Sequence, residues 1–216
     1  MATIQDSNIY GDYYYIDSDK SSERLTQSQM NINATNIWSQ IQTEFPDWTI
    51  NAVSAILGNI QSEGILNPSQ WEYGRNKSLS YGYGLVQWTP ATKILDWLQD
   101  NSYSRTDTIP QIRRLEYERS TGIQYYKTNG YPISFTTFLT DTTLGVDYLA
   151  TAWLYNYERP KYPEQSKSVR ISRSNAWKEY LSGITPTPPY NPDIPSGLTH
   201  LQAGMKIYMY PKRKEI

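Results

Sequence analysis

The sequence predicts a mainly α fold of the α+β class: a helical domain with a small β-hairpin lobe, then a proline-rich linker and a short C-terminal β tail. Three observations carry this. Apolar residues recur at helical spacing in six or seven stretches between Asn33 and Leu181. Between two of them, ILNPSQWEYGRNKSLSYGY at 65 to 83 is rich in turn formers and aromatic residues instead, which suits a small hairpin or an irregular lobe. Finally, ITPTPPYNPDIP at 184 to 195 holds five prolines, an extended stretch that cannot continue a helix.

Residues 1–27 are polar, carry Tyr10, Tyr13, Tyr14 and Tyr15 without helical period, and read as a loosely packed arm before a domain at 28–183. A first helix from Asn33 places Ile37, Trp38, Ile41 and Phe45 on one stripe before Pro46 ends it. Thr49 is a good N-cap for the second, in which Ile50, Val53, Ile56, Leu57 and Ile60 keep helical spacing until Gly64 stops it, with Glu63 last. Thr89-Pro90 opens a third with Ile94, Leu95, Trp97 and Leu98, and Ile109-Pro110 a fourth with Ile112 and Leu115. Phe135 and Phe138 mark a short helix; Val146, Leu149, Ala150, Trp153, Leu154 and Tyr157 an amphipathic one halted by Pro160; Trp177, Tyr180 and Leu181 a last one. A linker at 184–196 leads to a tail at 197–216, where Met205, Ile207 and Met209 alternate with Lys206, Tyr208 and Tyr210 as one strand. A lone strand cannot bury itself, so it is expected to pair with the domain, another subunit or a further module.

Composition narrows the chemistry. Lysine and arginine total 20 against 21 for aspartate and glutamate, so no global charge marks a nucleic-acid or membrane-surface partner. There is no apolar run of about 18 residues, and the first 25 lack the pattern of a signal peptide, so delivery by a virion or a lysis pore is expected. There is no cysteine, and His200 in the tail is the one histidine, which removes thiol nucleophiles and clustered metal ligands; no cofactor or metal is expected. Carboxylates remain as acid/base groups. The 20 tyrosines and 7 tryptophans against 3 phenylalanines suit half-wet surfaces, either sugar-binding or an ordinary virion or subunit interface.

Glu63 follows Ile56 by seven positions and Ile60 by three, which places it in the apolar stripe of its helix. There, desolvation and the negative end of the helix dipole both favour the protonated carboxyl. Such a group beside a cleft can protonate a departing glycosidic oxygen; the alternative is a structural glutamate bonded to its neighbours.

Residues 84 to 92, GLVQWTPAT, resemble the GLMQ-x-x-PAT segment of lytic transglycosylases and goose-type lysozymes, and Ser62-Glu63 stands about as far before it as the catalytic glutamate does there. YNYERP at 155 to 160 resembles their AYNxGP segment without its alanine and glycine, and together with AILGNIQSEG and YGYGLVQW it is more similar to the phage tail lysozymes. Over about residues 33 to 182 this resemblance implies a lysozyme-like fold and cleavage of the β-1,4 bond between N-acetylmuramic acid and N-acetylglucosamine, with Glu63 as catalytic acid. It also implies a virion location on the tail, glycan strands of peptidoglycan as substrate, and contact with other tail proteins through the C-terminal tail. Tyr81, Tyr83 and Trp71 become candidates to stack on sugars, Gln87 to bond an acetamido group, and Tyr155 to orient Glu63; Trp88 suits the core better. Gly82 and Gly84 serve either close approach to sugar or turn geometry. Glu158 is the first candidate for a second carboxylate, ahead of Glu72 and Asp147. Hydrolysis is expected over lytic transglycosylation. A non-catalytic tail component and an endolysin made for late lysis are the competing readings.

Overall fold

The computed structural model describes residues 3–17, 23–63 and 65–185. The segment read as an arm is an antiparallel hairpin of β1 (Ile4–Asn8) and β2 (Gly11–Tyr15), with Ile4 opposite Tyr15. Tyr10, Tyr13 and Ile16 are buried, so the hairpin is part of the packed body. Its alternation is hidden in sequence because tyrosine suits either face of a sheet.

Helix α1 (Gln27–Glu44) starts earlier than the apolar stripe, because Thr26 and Gln29 form a reciprocal capping box. Its inward face is partly polar. Asn33 accepts from the Tyr14 amide at 2.6 Å and donates to the carbonyls of Tyr14 and Leu66 at 2.8 and 2.7 Å. Asn36 donates to the Gly11 carbonyl at 2.8 Å, and Gln40 to that of Ile109 at 3.0 Å. Buried amides thus tie α1 to the hairpin and to the chain after Glu63 without leaving backbone groups unmet.

Helix α2 (Ile50–Glu63) is capped as expected, the Thr49 hydroxyl accepting from the Ala52 amide at 3.2 Å. Gly64, the expected stop, lies outside the described residues. After it Ile65 and Leu66 take left-handed φ of 54° and 53°. The lobe that follows is mostly irregular: Trp71 bridges Tyr83 and Tyr83 bridges Trp88, so among the described residues the two-stranded sheet is the N-terminal hairpin and not this segment.

Then come α3 (Thr92–Asp100), α4 (Thr108–Thr121) capped by Asp107, α5 (Phe135–Thr140) and α6 (Val146–Trp153). Helix α6 widens into a π-turn, Leu154–Glu158, that ends where Arg159 takes φ 50°. Helix α7 (Glu164–Ser182) closes the domain. Among the described residues, seven α-helices and one small hairpin make the mainly α, lysozyme-like architecture the sequence predicts. Helix α2 is its axis, packed most extensively on α7 and then on α6, with Ala52, Leu57 and Ile60 fully enclosed. Among the described residues no helix is long and apolar enough to cross a membrane. The linker from residue 186 and the strand expected at 205–210 lie outside them.

Candidate active site

Glu63 ends α2 and Glu158 ends the π-turn, and α7 runs behind both. The Glu63 side chain is 30 % exposed and its Oε1 is ion-paired with the Nη2 of Arg170, whose own side chain is 5 % exposed. Glu63 is therefore half-buried, not enclosed in the apolar stripe as its spacing suggests. The helix ends there, and α7 meets it with a cation instead of an apolar side chain.

The strongly perturbed carboxyl is Glu158. Burial raises its pKa to about 8, and the negative charge of Glu63 pushes in the same direction. Arg170, the indole of Trp153, which donates to Glu158 Oε1 at 2.8 Å, and Arg159 pull back only in part. The two carboxyls therefore feel each other's charge, and the proton is held on Glu158.

Arg170 also donates from Nη1 to Asn59 Oδ1 at 2.9 Å and from Nε to Ser166 Oγ at 3.2 Å. Asn59 is fully buried and donates to the carbonyls of Ala55 at 2.8 Å and Ala150 at 3.1 Å, so one amide joins α2, α6 and α7. One turn on, Arg173 donates to Ser62 Oγ at 2.8 Å and reaches the Gln61 carbonyl at 3.4 Å, a cation at the negative end of α2.

The fold brings the two carboxylates singled out in the sequence within reach of each other's charge and sets beside them two residues that were not, Asn59 and Arg170. Residues 32–181 match the phage tail lysozyme family. The chain belongs to that family. It is also 34% identical over 159 residues to "Morphogenesis protein 1" of Bacillus phage B103, a match covering 74% of this chain and 42% of that relative. The chain thus spans less than half the length of this phage relative.

The phage tail lysozyme motifs occupy different depths in this member. In GLVQW, Gln87 takes φ 52° and its amide donates to the carbonyls of Gln70 and Gly84 at 3.0 and 2.8 Å, while its Oε1 is buried without a partner, so the expected contact with an acetamido group is not open. Gly84 (φ +84°) lies where an added Cβ would come 2.6 Å from Gln111 Oε1, so it serves backbone geometry and packing against Gln111. Gly82 accepts at its carbonyl from the Glu72 amide at 2.9 Å, a turn role.

Three expected contacts are corrected. Tyr83 is fully buried with its hydroxyl donated to the Arg105 carbonyl at 3.1 Å, and Trp71, 4 % exposed, packs edge-on against it at 4.7 Å; neither ring is open to stack on a sugar. Alternating bulky aromatics in a turn-rich lobe supply its core here. Tyr155 does not orient Glu63: its hydroxyl donates to Glu164 and its ring stacks on Tyr131 at 5.3 Å. Tyr81 stays partly exposed, with the Arg75 guanidinium 5.2 Å from its ring centre.

The weaker carboxylate candidates are engaged elsewhere. Glu72 accepts from the Gly82 amide at 3.1 Å, and Asp147 from Asn175 at 2.6 Å. Trp88 belongs to the core, as expected, and its indole donates at 2.8 Å to Glu118. Glu118 is 1 % exposed and also accepts from Tyr157 at 2.6 Å and Arg114 at 3.0 Å, which links GLVQW to the π-turn through α4. Burial raises its pKa against those three donors. A concavity between α4 and α5 is walled by Glu118, Arg119, Tyr125, Ser134 and Phe135, among others, and contains neither Glu63 nor Glu158.

Proposed function

We propose that this chain is a muramidase that hydrolyses the β-1,4 bond between N-acetylmuramic acid and N-acetylglucosamine, carried on the phage tail to open the host wall. The observation that carries this reading is the pair Glu63 and Glu158, both half-buried and within reach of each other's charge, set against the buried Arg170. Glycosidic cleavage needs one carboxyl that delivers a proton to the leaving oxygen and a second that acts as carboxylate.

Glu63 has the solvent access to reach the glycosidic oxygen and is the acid. A glycan lying over it excludes water from its exposed side, which favours moving the pair's proton onto it and leaves Glu158 as the anion. Tyr81, partly exposed beside Arg75, offers a ring face. Glycan strands of peptidoglycan are the substrate, no cofactor takes part, and other tail proteins are engaged through the C-terminal tail.

The test is digestion of purified peptidoglycan by the wild type and by Glu63→Gln, followed by mass spectrometry. Reducing-end muramic fragments from the wild type alone are expected. Anhydro-muramic ends would replace hydrolysis with lytic transglycosylation, and wall binding without release would make the chain a structural or glycan-binding tail component. Presence in purified virions separates a tail enzyme from a late-lysis endolysin.

A further inference from the structure

We propose that Arg170 is the positioning residue of this site: locked by Asn59 and Ser166, it holds the Glu63 carboxylate in place and supplies the fixed cation that lets one proton serve both Glu63 and Glu158. The inference rests on the carboxylate pair being the catalytic site.

A guanidinium is planar and remains charged in proteins, so its donors form a rigid fork. Three residues hold that fork. Ser166 takes Nε at 3.2 Å, Asn59 takes Nη1 at 2.9 Å, and Glu63 takes Nη2. Asn59 cannot turn away, because its amide nitrogen is committed to the carbonyls of Ala55 and Ala150. With two contacts set by α2 and α7, the third sets where the Glu63 carboxylate lies. Glu63 is the last residue of its helix, where no further turn would otherwise confine it.

The charges explain why the site holds one proton. Facing Glu158 are Glu63 from α2, Arg170 from α7, Trp153 from α6, and Tyr157 and Arg159 from its own turn; Arg173 of α7 meets α2 at Ser62. Arg170 is 4 % exposed and Arg159 is exposed, so one fully desolvated cation stands against two carboxyls. A buried cation is stable only when paired, and it neutralises one carboxylate. The other carboxyl keeps its proton, and the cluster of Arg170, Glu63 and Glu158 is neutral. Moving the proton between the carboxyls leaves that neutrality intact, so substrate can shift it without creating a buried net charge.

The Trp153 indole, which donates to Glu158, is a built-in reporter whose ¹H–¹⁵N resonance follows that carboxyl. In the full chain, its titration midpoint should rise by about one to three pH units in Arg170→Gln and remain near that of the wild type in Arg170→Lys. An unchanged midpoint in a folded Arg170→Gln overturns the proposal. Should that variant fail to fold by circular dichroism, the wild type decides: the Arg170 guanidinium resonances should titrate together with Trp153, and their independence overturns it. In turnover, Arg170→Gln should move the alkaline limb of the kcat profile upward and lower kcat with little change in KM. If the wild type releases no glycan fragments while Trp153 and Arg170 titrate together, the muramidase reading falls and the electrostatic role of Arg170 stands.

Discussion

Gly58 on α2 and Ser174 on α7 touch backbone to backbone: a methyl group on Gly58 would lie 2.5 Å from the Ser174 nitrogen and 2.7 Å from its Cα. Among the described residues no other glycine lies so close to neighbouring backbone. Glu63 lies little more than one turn beyond Gly58, and Arg170 one turn before Ser174. The Ser174 hydroxyl donates to the Arg170 carbonyl at 2.8 Å. The closeness of this crossing sets the reach from Arg170 to Glu63.

Gly58→Ala is therefore expected to be harmful although alanine is the better helix former. Its gain in helix propensity is about 1 kcal/mol, whereas overpacking against rigid backbone costs about 1–3 kcal/mol. Chemical denaturation should show a net loss of stability, with a larger loss of lytic activity than the unfolded fraction explains. A stabilised, active variant would mean that α7 can retreat without disturbing the site.

The hairpin tests whether the region before the family-matched residues supports the site. Asn33 is fully buried and serves two backbone groups of Tyr14 and one of Leu66, three residues after Glu63. Asn33→Ala leaves an amide and two carbonyls without this partner, and a stranded buried group costs about 1–3 kcal/mol. Thermal melting should fall, with greater protease sensitivity at both the hairpin and residues 65–70. A melt equal to wild type would mean that water replaces the amide.

How much of this was legible in sequence depended on whether inward positions were apolar. Helices α2 and α6 were readable because Val53, Ile56 and Ile60, and Leu149 and Trp153, are all buried at helical spacing. The start of α1 and the role of α7 were not. Asn33, Asn36 and Gln40 face inward on α1, and α7 buries Arg170, Ser174, Trp177 and Leu181. That last set has the spacing of a helical stripe, and a search for periodicity that admitted arginine and serine would have found Arg170. Glu63 and Glu158 were visible because each ends a patterned helix. The depth of Tyr83 and Trp71 was not, because tyrosine and tryptophan serve core and surface alike.

Glu118 is the second buried carboxylate centre and has a structural part to play. It accepts from Trp88, Tyr157 and Arg114, and Arg114 has a side chain only 10% exposed. Glu118→Ala would strand a nearly buried cation and two aromatic donors, at a cost of about 3–5 kcal/mol. Glu118→Gln keeps shape and two acceptor lone pairs and should cost less. Denaturant midpoints that rank the wild type, Gln and Ala in falling order support this; an Ala variant as stable as wild type would show the network to be dispensable.

Stability against pH isolates Glu158. Its pKa in the folded protein is raised to about 8 by burial and by Glu63, so between the ordinary glutamate value and about pH 8 the folded state holds a proton that the unfolded chain has released. The unfolded state then binds fewer protons, and unfolding free energy falls as pH rises through that window. The contribution of Glu158 is most favourable below the unfolded value and levels off above about 8. Glutamine cannot ionise, so Glu158→Gln removes this slope while still offering an oxygen to the Trp153 indole. Melting curves at several pH values should diverge, with the variant gaining on the wild type between about pH 5 and 8 and the gap constant beyond. Glu118 and the other titrating groups that do not face Glu158 are common to both proteins and cancel in the difference. Parallel curves across this range would mean that Glu158 carries no raised pKa, and with it would go the one-proton pair.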